Sequence, residues 1–451
     1  MLDHDIEEGK TVKDRKGMDR RDFIRASALG LVGAGTTFSA GQALAGQAAP
    51  AAPAAAPKIK AYRTLGRTGF KASDIGIGTS QTFPTPVLGA ALDAGVNYFD
   101  TSEGYGRGQA ERSIGEAIQG RDRKSIFITT KIRVDGGKEQ VVEKVGQCLE
   151  RLQTDYVDCV MLSSPPTAES VKNEAYHQGM EELKKQGKAR FSGVASHGSR
   201  QPSQGEPMED VLVAAVEDGR FDVVLVVYNF LQREAGAKVL EAAAKKNVAA
   251  TIMKSNPLGR YYSTKERIEQ LKAEGKEIDE RLQKSMEQME ETARQAQSFI
   301  KEHGLETPAE IKAAALKFVL GDPRVHTLNL AFNTFEDVQS YVSLSGSGLA
   351  PKERGMLAAY EKECGSLYCR HACGLCEPAC PHGVPVNTIM RYNHYFEAQG
   401  SERYAMEKYA ALDAAHAELC RDCPGFCEQA CPYSVPVRPL LVMAHRQLSL
   451  G

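Results

Sequence analysis

The chain carries almost no net charge. Its 56 Lys and Arg against 58 Asp and Glu leave −2 at neutral pH, with a pI near 6.6, so nothing points to a nucleic-acid partner. A long apolar run is also missing. The best one, from about Ala26 to Ala45, holds too many Gly, Ser and Thr for a good membrane span. Cysteine is nearly absent from most of the chain. Only Cys148 and Cys159 precede the tail, and the other nine of the 11 cysteines lie between Cys364 and Cys431. That crowding is unlike an evenly stapled disulfide scaffold and looks like a metal domain. No GxGxxG follows the first predicted strand, which counts against a doubly wound dinucleotide fold. What is present is ample apolar material: 42% hydrophobic residues in 451 supports a globular core and two or three domains.

The N-terminus reads as a targeting segment. Paired arginines in Asp19-Arg20-Arg21-Asp22-Phe23-Ile24-Arg25 precede the weakly apolar run, and Ala43-Leu44-Ala45 forms an A-x-A cleavage site. Residues 1–45 look like a twin-arginine signal peptide, with a disordered basic tail as the alternative. This expectation makes the twin-arginine export machinery a partner and the location periplasmic or extracytoplasmic. Residues 46–60, rich in Ala and Pro, read as an extended linker.

From Tyr62 onward, strands alternate with helices. After a small hairpin come SDIGIGT, VNYFDTS, SIFITTKI, YVDCVMLSS, ARFSGVASHG, DVVLVVYNF, VAATIMKSN and VHTLNLAFN, with amphipathic segments such as TPVLGAALDAGV and KEQVVEKVGQCLERL between them. About eight βα units over about 280 residues call for a parallel sheet closed into a (β/α)8 TIM barrel over 61–345. A charged stretch from about Ser263 to His303 carries Ile268, Leu271, Ile278, Leu282, Met286 and Met289 at helical spacing. It reads as an inserted helical pair: either an outer-ring helix with extra turns, or a lid on the active-site face.

Polar residues at the C-terminal ends of barrel strands are the functional candidates. Asp100 ends YFD, Tyr105 follows in SEGYG, and Lys131 ends ITTK. A Lys beside a Tyr favours phenolate, and an Asp paired to the Lys holds it in place. A Tyr so tuned gives or takes the proton at a carbonyl oxygen.

These segments resemble the aldo-keto reductases. YRTLGRTGFKASDIGIGT is similar to their opening hairpin and first strand, YFDTSEGYG and TTKI to the segments bearing the catalytic Asp, Tyr and Lys, and GVASH, VVYN and NPLG to the fifth-, sixth- and seventh-strand motifs. The resemblance spans about residues 62–342. It implies NAD(P)H-dependent reduction of a small carbonyl substrate, or oxidation of the alcohol, with Asp100, Tyr105 and Lys131 in their usual roles. It also implies Ser196 near the nicotinamide carboxamide, with Asn229 a weaker candidate there. Two departures stand out. The family's LLHxP pattern aligns with Leu162-Ser163-Ser164-Pro165, so Ser163 takes the position of a catalytic His. A serine hydroxyl donates a hydrogen bond but carries no proton charge near neutrality. His197, beside Ser196, is either a substitute or a surface loop histidine. The segment AFNTFEDVQS after the last strand offers Asn333 and acids where a basic 2′-phosphate clamp is usual, leaving Arg260 as a weak source of charge.

Beyond Gly355, Cys369-x3-Cys373-x2-Cys376-x3-Cys380-Pro381 is repeated as Cys420-x2-Cys423-x3-Cys427-x3-Cys431-Pro432. Each copy is similar to the ferredoxin run C-x2-C-x2-C-x3-C-P with one spacer lengthened. The helical sequence between the copies resembles the helical ferredoxin modules, so residues 364–446 read as a small, mostly α-helical ferredoxin-like iron–sulfur domain. Eight ligands imply two 4Fe–4S clusters. By analogy the fourth Cys of each run serves the other cluster, joining Cys380 to Cys420, Cys423 and Cys427. Zinc and disulfides are the alternatives. Cys364 has no assigned role, and Cys148 and Cys159 read as core.

Two functions follow. One is an exported iron–sulfur oxidoreductase working on the barrel. The other is an electron-transfer or docking subunit with a degenerate barrel, its clusters passing electrons to a redox partner protein.

Overall fold

A computed structural model describes residues 56–80, 84–198, 205–257, 308–371, 373–399, 401–412 and 415–449. The twin-arginine segment, the linker up to Ala55, the charged stretch 263–303 and Arg260 lie outside the described residues.

The chain enters through an antiparallel hairpin, β1 (Tyr62–Thr64) and β2 (Lys71–Ser73). Its turn presses against the barrel floor. A side chain at Gly66 would meet the Asn247 carbonyl oxygen at 2.5 Å, and its φ of +44° also favours glycine. Eight parallel strands follow: β3 (Ile75–Gly78), β4 (Tyr98–Asp100), β5 (Phe127–Ile132), β6 (Val157–Ser163), β7 (Ala189–Ala195), β8 (Val223–Val227), β9 (Ala249–Met253) and β10 (Thr327–Leu330). β10 pairs with both β9 and β3, which closes the barrel. Helices α1 (Thr85–Asp93), α2 (Gln109–Ile118), α3 (Lys138–Leu152), α4 (Glu174–Lys185), α5 (Met208–Asp218), α6 (Glu234–Lys245), α7 (Pro308–Leu320) and α8 (Phe335–Ser343) accompany the strands.

Strand β6 shows how one sequence serves two cores. Cys159 and Met161 join Tyr98, Phe127 and Leu225 inside the barrel, with Leu65 of the hairpin below them. Val160 and Leu162 face the helices with Ile128, Val145 and Tyr176. The period of two separates the sets, and it puts Ser163 in register with the inward row. Next door, a Cβ at Gly193 would meet Met161 Cγ at 2.7 Å and Cys159 Sγ at 2.8 Å, so glycine there makes room for both. Cys148 and Cys159 are fully buried, and burial pushes both thiols up.

After the barrel come α9 (Pro351–Cys364), α10 (Val386–Gln399), α11 (Glu402–Ala410), the short α12 (Phe426–Gln429) and α13 (Val437–Leu448). The last four enclose their own core, with Ile389, Met390, Tyr409, Leu441 and Val442. A further cluster knits this region to the barrel: Phe230, Leu231, Ile311 and Ala315 pack on Met356, Leu357, Tyr360 and Tyr368. Fully burying a side chain of this size contributes about 1.5–3 kcal/mol. The exposed Arg107–Glu407 pair at 3.3 Å is in the class that contributes about 0–1 kcal/mol. Apolar packing therefore dominates the attachment. Residues from Ala56 onward form one compact unit.

Candidate active site

The C-terminal ends of β4 and β5 place two charges side by side. Lys131 Nζ donates to Asp100 Oδ1 at 2.6 Å and to the Thr101 carbonyl at 2.6 Å, and both side chains are buried. Burial raises the Asp100 pKa; the adjacent Lys131 pulls it the other way. Removing one partner of such a pair costs about 3–5 kcal/mol, because the other charge stays buried. The Asp100 Oδ2 has no hydrogen-bond partner among the described residues. The loop from Ser102 is tied back onto β5, with Glu103 N and Ser102 Oγ both donating to the Lys131 carbonyl at 3.1 Å. Gly106, Arg107 and Gly108 all take positive φ, turning the chain sharply after Tyr105. The Tyr105 ring is thereby held with its centroid 5.0 Å from Lys131 Nζ.

These residues open onto a cavity of about 440 Å³ at the barrel mouth. Asp100, Tyr105, His197, Lys254, Lys312 and Asn329 line it from the barrel side. His394 and Tyr395 of α10, with Ser401 and Tyr404, line it from the C-terminal region. Lys254 has φ of +58°, an uncommon conformation for lysine, and its Nζ stands 5.1 Å from the Tyr395 ring centroid. Neither amide atom of Asn329 has a hydrogen-bond partner among the described residues. Buried polar capacity left unmet at a cavity wall fits a polar ligand.

The other expected residues fare differently. Ser163 ends β6 half-buried and lies outside the cavity lining, whereas His197 is part of it. His197 lies in the loop after β7, half-buried at the cavity wall. Ser196 is fully buried, and its Oγ accepts from Gly198 N at 3.1 Å. Asn229 is hydrogen-bonded within the protein. Its Nδ2 donates to the Lys254 carbonyl at 2.9 Å and to the Tyr368 hydroxyl at 3.3 Å, while Oδ1 accepts from the Leu231 and Gln232 amides at 3.0 and 2.9 Å. Those contacts use two donors and two acceptor positions within the protein. A basic group does reach the far side of the cavity, from α7 rather than from the segment after β10. Lys312 Nζ donates to the Tyr341 hydroxyl at 2.7 Å, and burial lowers its pKa against the pull of Asp337. Lys312 is not among the residues that the sequence singled out. Asp337 itself caps α8, accepting from Asn333 N at 3.0 Å.

The cysteines of the tail gather around two voids. Cys380, Cys420, Cys423 and Cys427 line one; Cys369, Cys373, Cys376 and Cys431 line the other. Each set takes three sulfurs from one run and the last sulfur from the other. All eight are free thiols. No group of three or more Cys, His, Asp or Glu among the described residues is arranged to hold a single metal ion. Burial, with the neighbouring sulfurs, pushes Cys373 up to about 11 and Cys420 and Cys427 up to about 12. A metal taking them as thiolates must release those protons. The surroundings repeat as the sequence does. Glu377 Oε1 accepts from Asn387 N at 2.6 Å at the start of α10, and Glu428 Oε2 accepts from Arg438 N at 3.0 Å at the start of α13. Asn387 Nδ2 then donates to the Arg370 carbonyl at 2.6 Å, and Arg438 Nε to the Cys420 carbonyl at 3.1 Å. An all-thiol donor set in a mostly apolar shell fits an iron–sulfur cluster.

A closed eight-stranded barrel with a lysine–aspartate pair and a tyrosine at its C-terminal mouth defines a class of oxidoreductase. The Aldo/keto reductase family matches residues 69–345, more than half of the chain, and the protein belongs to that family. The Aldo-keto reductase YhdN of Bacillus subtilis (strain 168) is 29% identical over 213 residues, 43% of this chain and 60% of that protein. The Uncharacterized oxidoreductase YqkF of the same strain is 33% identical over 150 residues, 30% of this chain and 48% of that protein. The matches thus span less than two thirds of either relative's length. Among solved structures, the aldo-keto reductase AKR11C1 from Bacillus halodurans (holo form) is similar at 21% identity and a TM-score of 0.48, over 66% of this chain and 95% of that one.

Proposed function

We propose that this protein is an exported iron–sulfur oxidoreductase that reduces small aldehydes or ketones with NAD(P)H, or oxidises the corresponding alcohols, with Tyr105 as the proton donor. One observation carries the reading: a buried Lys131, fixed by Asp100 at 2.6 Å, stands against the Tyr105 ring at the edge of a polar cavity. The positive charge of Lys131 beside the Tyr105 ring supports Tyr105 as the proton donor to a carbonyl oxygen. Asp100 keeps the ammonium in place, and the tethered 102–108 loop keeps the ring in place. His197 is available to orient the carbonyl. A bound reduced nicotinamide would supply the hydride. Lys312 is the candidate to meet an anionic end of the cofactor, and the unmet Asn329 amide a polar one.

The two sets of four cysteines would hold 4Fe–4S clusters, which supply one-electron capacity. The paired arginines at Arg20 and Arg21 support twin-arginine export, a route that suits a protein loaded with cofactors before it leaves the cytoplasm. The test is turnover of a carbonyl panel with NADH and NADPH. Tyr105→Phe is expected to lower kcat by about 10²–10⁴ with nucleotide affinity unchanged. A wild-type protein that binds nucleotide yet turns over nothing would overturn the reading in favour of an electron-transfer subunit. Iron content and EPR of anaerobically purified protein test the clusters separately.

A further inference from the structure

One helix reaches from the cysteine sites to the barrel cavity. The first residue of α10, Val386, lines both cysteine voids, and Asn387 follows with its hold on the Arg370 carbonyl. Asn387 Nδ2 also lies 3.9 Å from Cys369 Sγ. Toward the other end of α10, His394 and Tyr395 line the cavity that Asp100 and Tyr105 also line. At 1.5 Å per residue, Val386 and Tyr395 are separated by about 13 Å of continuous helix. A second thread runs alongside: the His371 and His394 rings lie 5.5 Å apart, so the loop after Cys369 touches the helix near its cavity end. On the barrel side, Tyr395 meets Lys254.

We propose that α10 is a positioning element: its His394 and Tyr395 form the wall that meets the substrate, and the cysteine sites at its base fix where that wall stands. The state of the cysteine sites then sets substrate affinity without entering the proton or hydride step. A helix transmits a shift of its base rigidly, because its turns are hydrogen-bonded along its length. The inference rests on the reductase reading for its substrate, and on the chain's own contacts for its coupling.

Steady-state kinetics with DL-glyceraldehyde and NADPH test the wall. Tyr395→Ala is expected to raise KM at least about fivefold with kcat within about twofold. Asn387→Ala, which loosens the base and leaves the cavity lining intact, is expected to raise KM in the same direction. The double variant should be no worse than Tyr395→Ala alone, because both act on one element. Additive effects, or a fall in kcat with KM unchanged, would overturn the proposal. A readout independent of activity is hydrogen exchange of the full protein before and after iron removal by a chelator. Protection is expected to fall together in 390–404 and in 249–257, the segment that carries Lys254. A change confined to 369–388 and 420–437 would overturn the coupling. A wild-type protein without carbonyl turnover would sink the reductase reading, and the exchange experiment would still decide the coupling.

Discussion

Ser163 ends β6 on its inward row and His197 follows the adjacent β7, and of the two only His197 lines the cavity. If the substrate carbonyl is oriented there, His197→Ala should lower kcat/KM by about 10²-fold, the scale of a lost acid–base group. Ser163→Ala should stay within about twofold, since it removes one hydroxyl away from the lining. The reverse pattern in steady-state kinetics would restore Ser163 to the centre of the site. Asp100 and Lys131 were legible in the sequence because strand ends are fixed by the barrel's period, and Tyr105, in the loop after β4, through the family resemblance. The orientation of His197 was not, because a loop past a strand end has no period to read. The hydrogen-bond partners of Asn229 were not legible for a related reason. One of its partners, Tyr368, is 139 residues away and outside the barrel motif.

At the scale of elements, the eight strands and helices α1 to α6 announce themselves by period, whereas α7 and α8 were not legible in the same way. Helix α4 adds a consequence that periodicity does not show. His177 sits inside the apolar face of α4, its ring 5.1 Å from Phe221, with Nε2 at 3.0 Å from the Val171 carbonyl. Burial lowers its pKa, with Arg220 acting in the same direction and the Val171 contact, Asp218 and Glu174 opposing. His326 is lowered by burial too. The folded state therefore resists protonation that the unfolded chain accepts. Stability from these groups is present above the ordinary imidazole value and is lost as pH falls through it toward the lowered folded values. Thermal unfolding from about pH 7.5 to about pH 5.5 should show stability falling on acidification, with a flatter profile in His177→Gln. Equal slopes for the two proteins would remove His177 from the account.

Across the whole molecule, the repeat in the tail declared two sites, but spacing alone left their membership to analogy. Folding brings the last cysteine of each run to the other run's three, with Val386 at the base of α10 lining both voids. The roofing of the barrel mouth by α10 was not legible at all, since nothing in either segment's pattern names the other. The exchanged membership makes a sharp prediction. Cys380→Ser lies in the first run by sequence and in the second site by structure. If the proposed clusters fill these sites, it should impair the one beside Cys420, Cys423 and Cys427, and spare the one beside Cys369, Cys373, Cys376 and Cys431. Cys431→Ser should do the opposite. EPR of the two reduced variants would then show complementary halves of the wild-type spectrum, each with about half the iron. If instead Cys380→Ser and Cys376→Ser impaired the same cluster, the sites would follow the sequence runs. The α10 base would then hold one run on its own, and the crossing that ties the two copies into one folded unit would be lost.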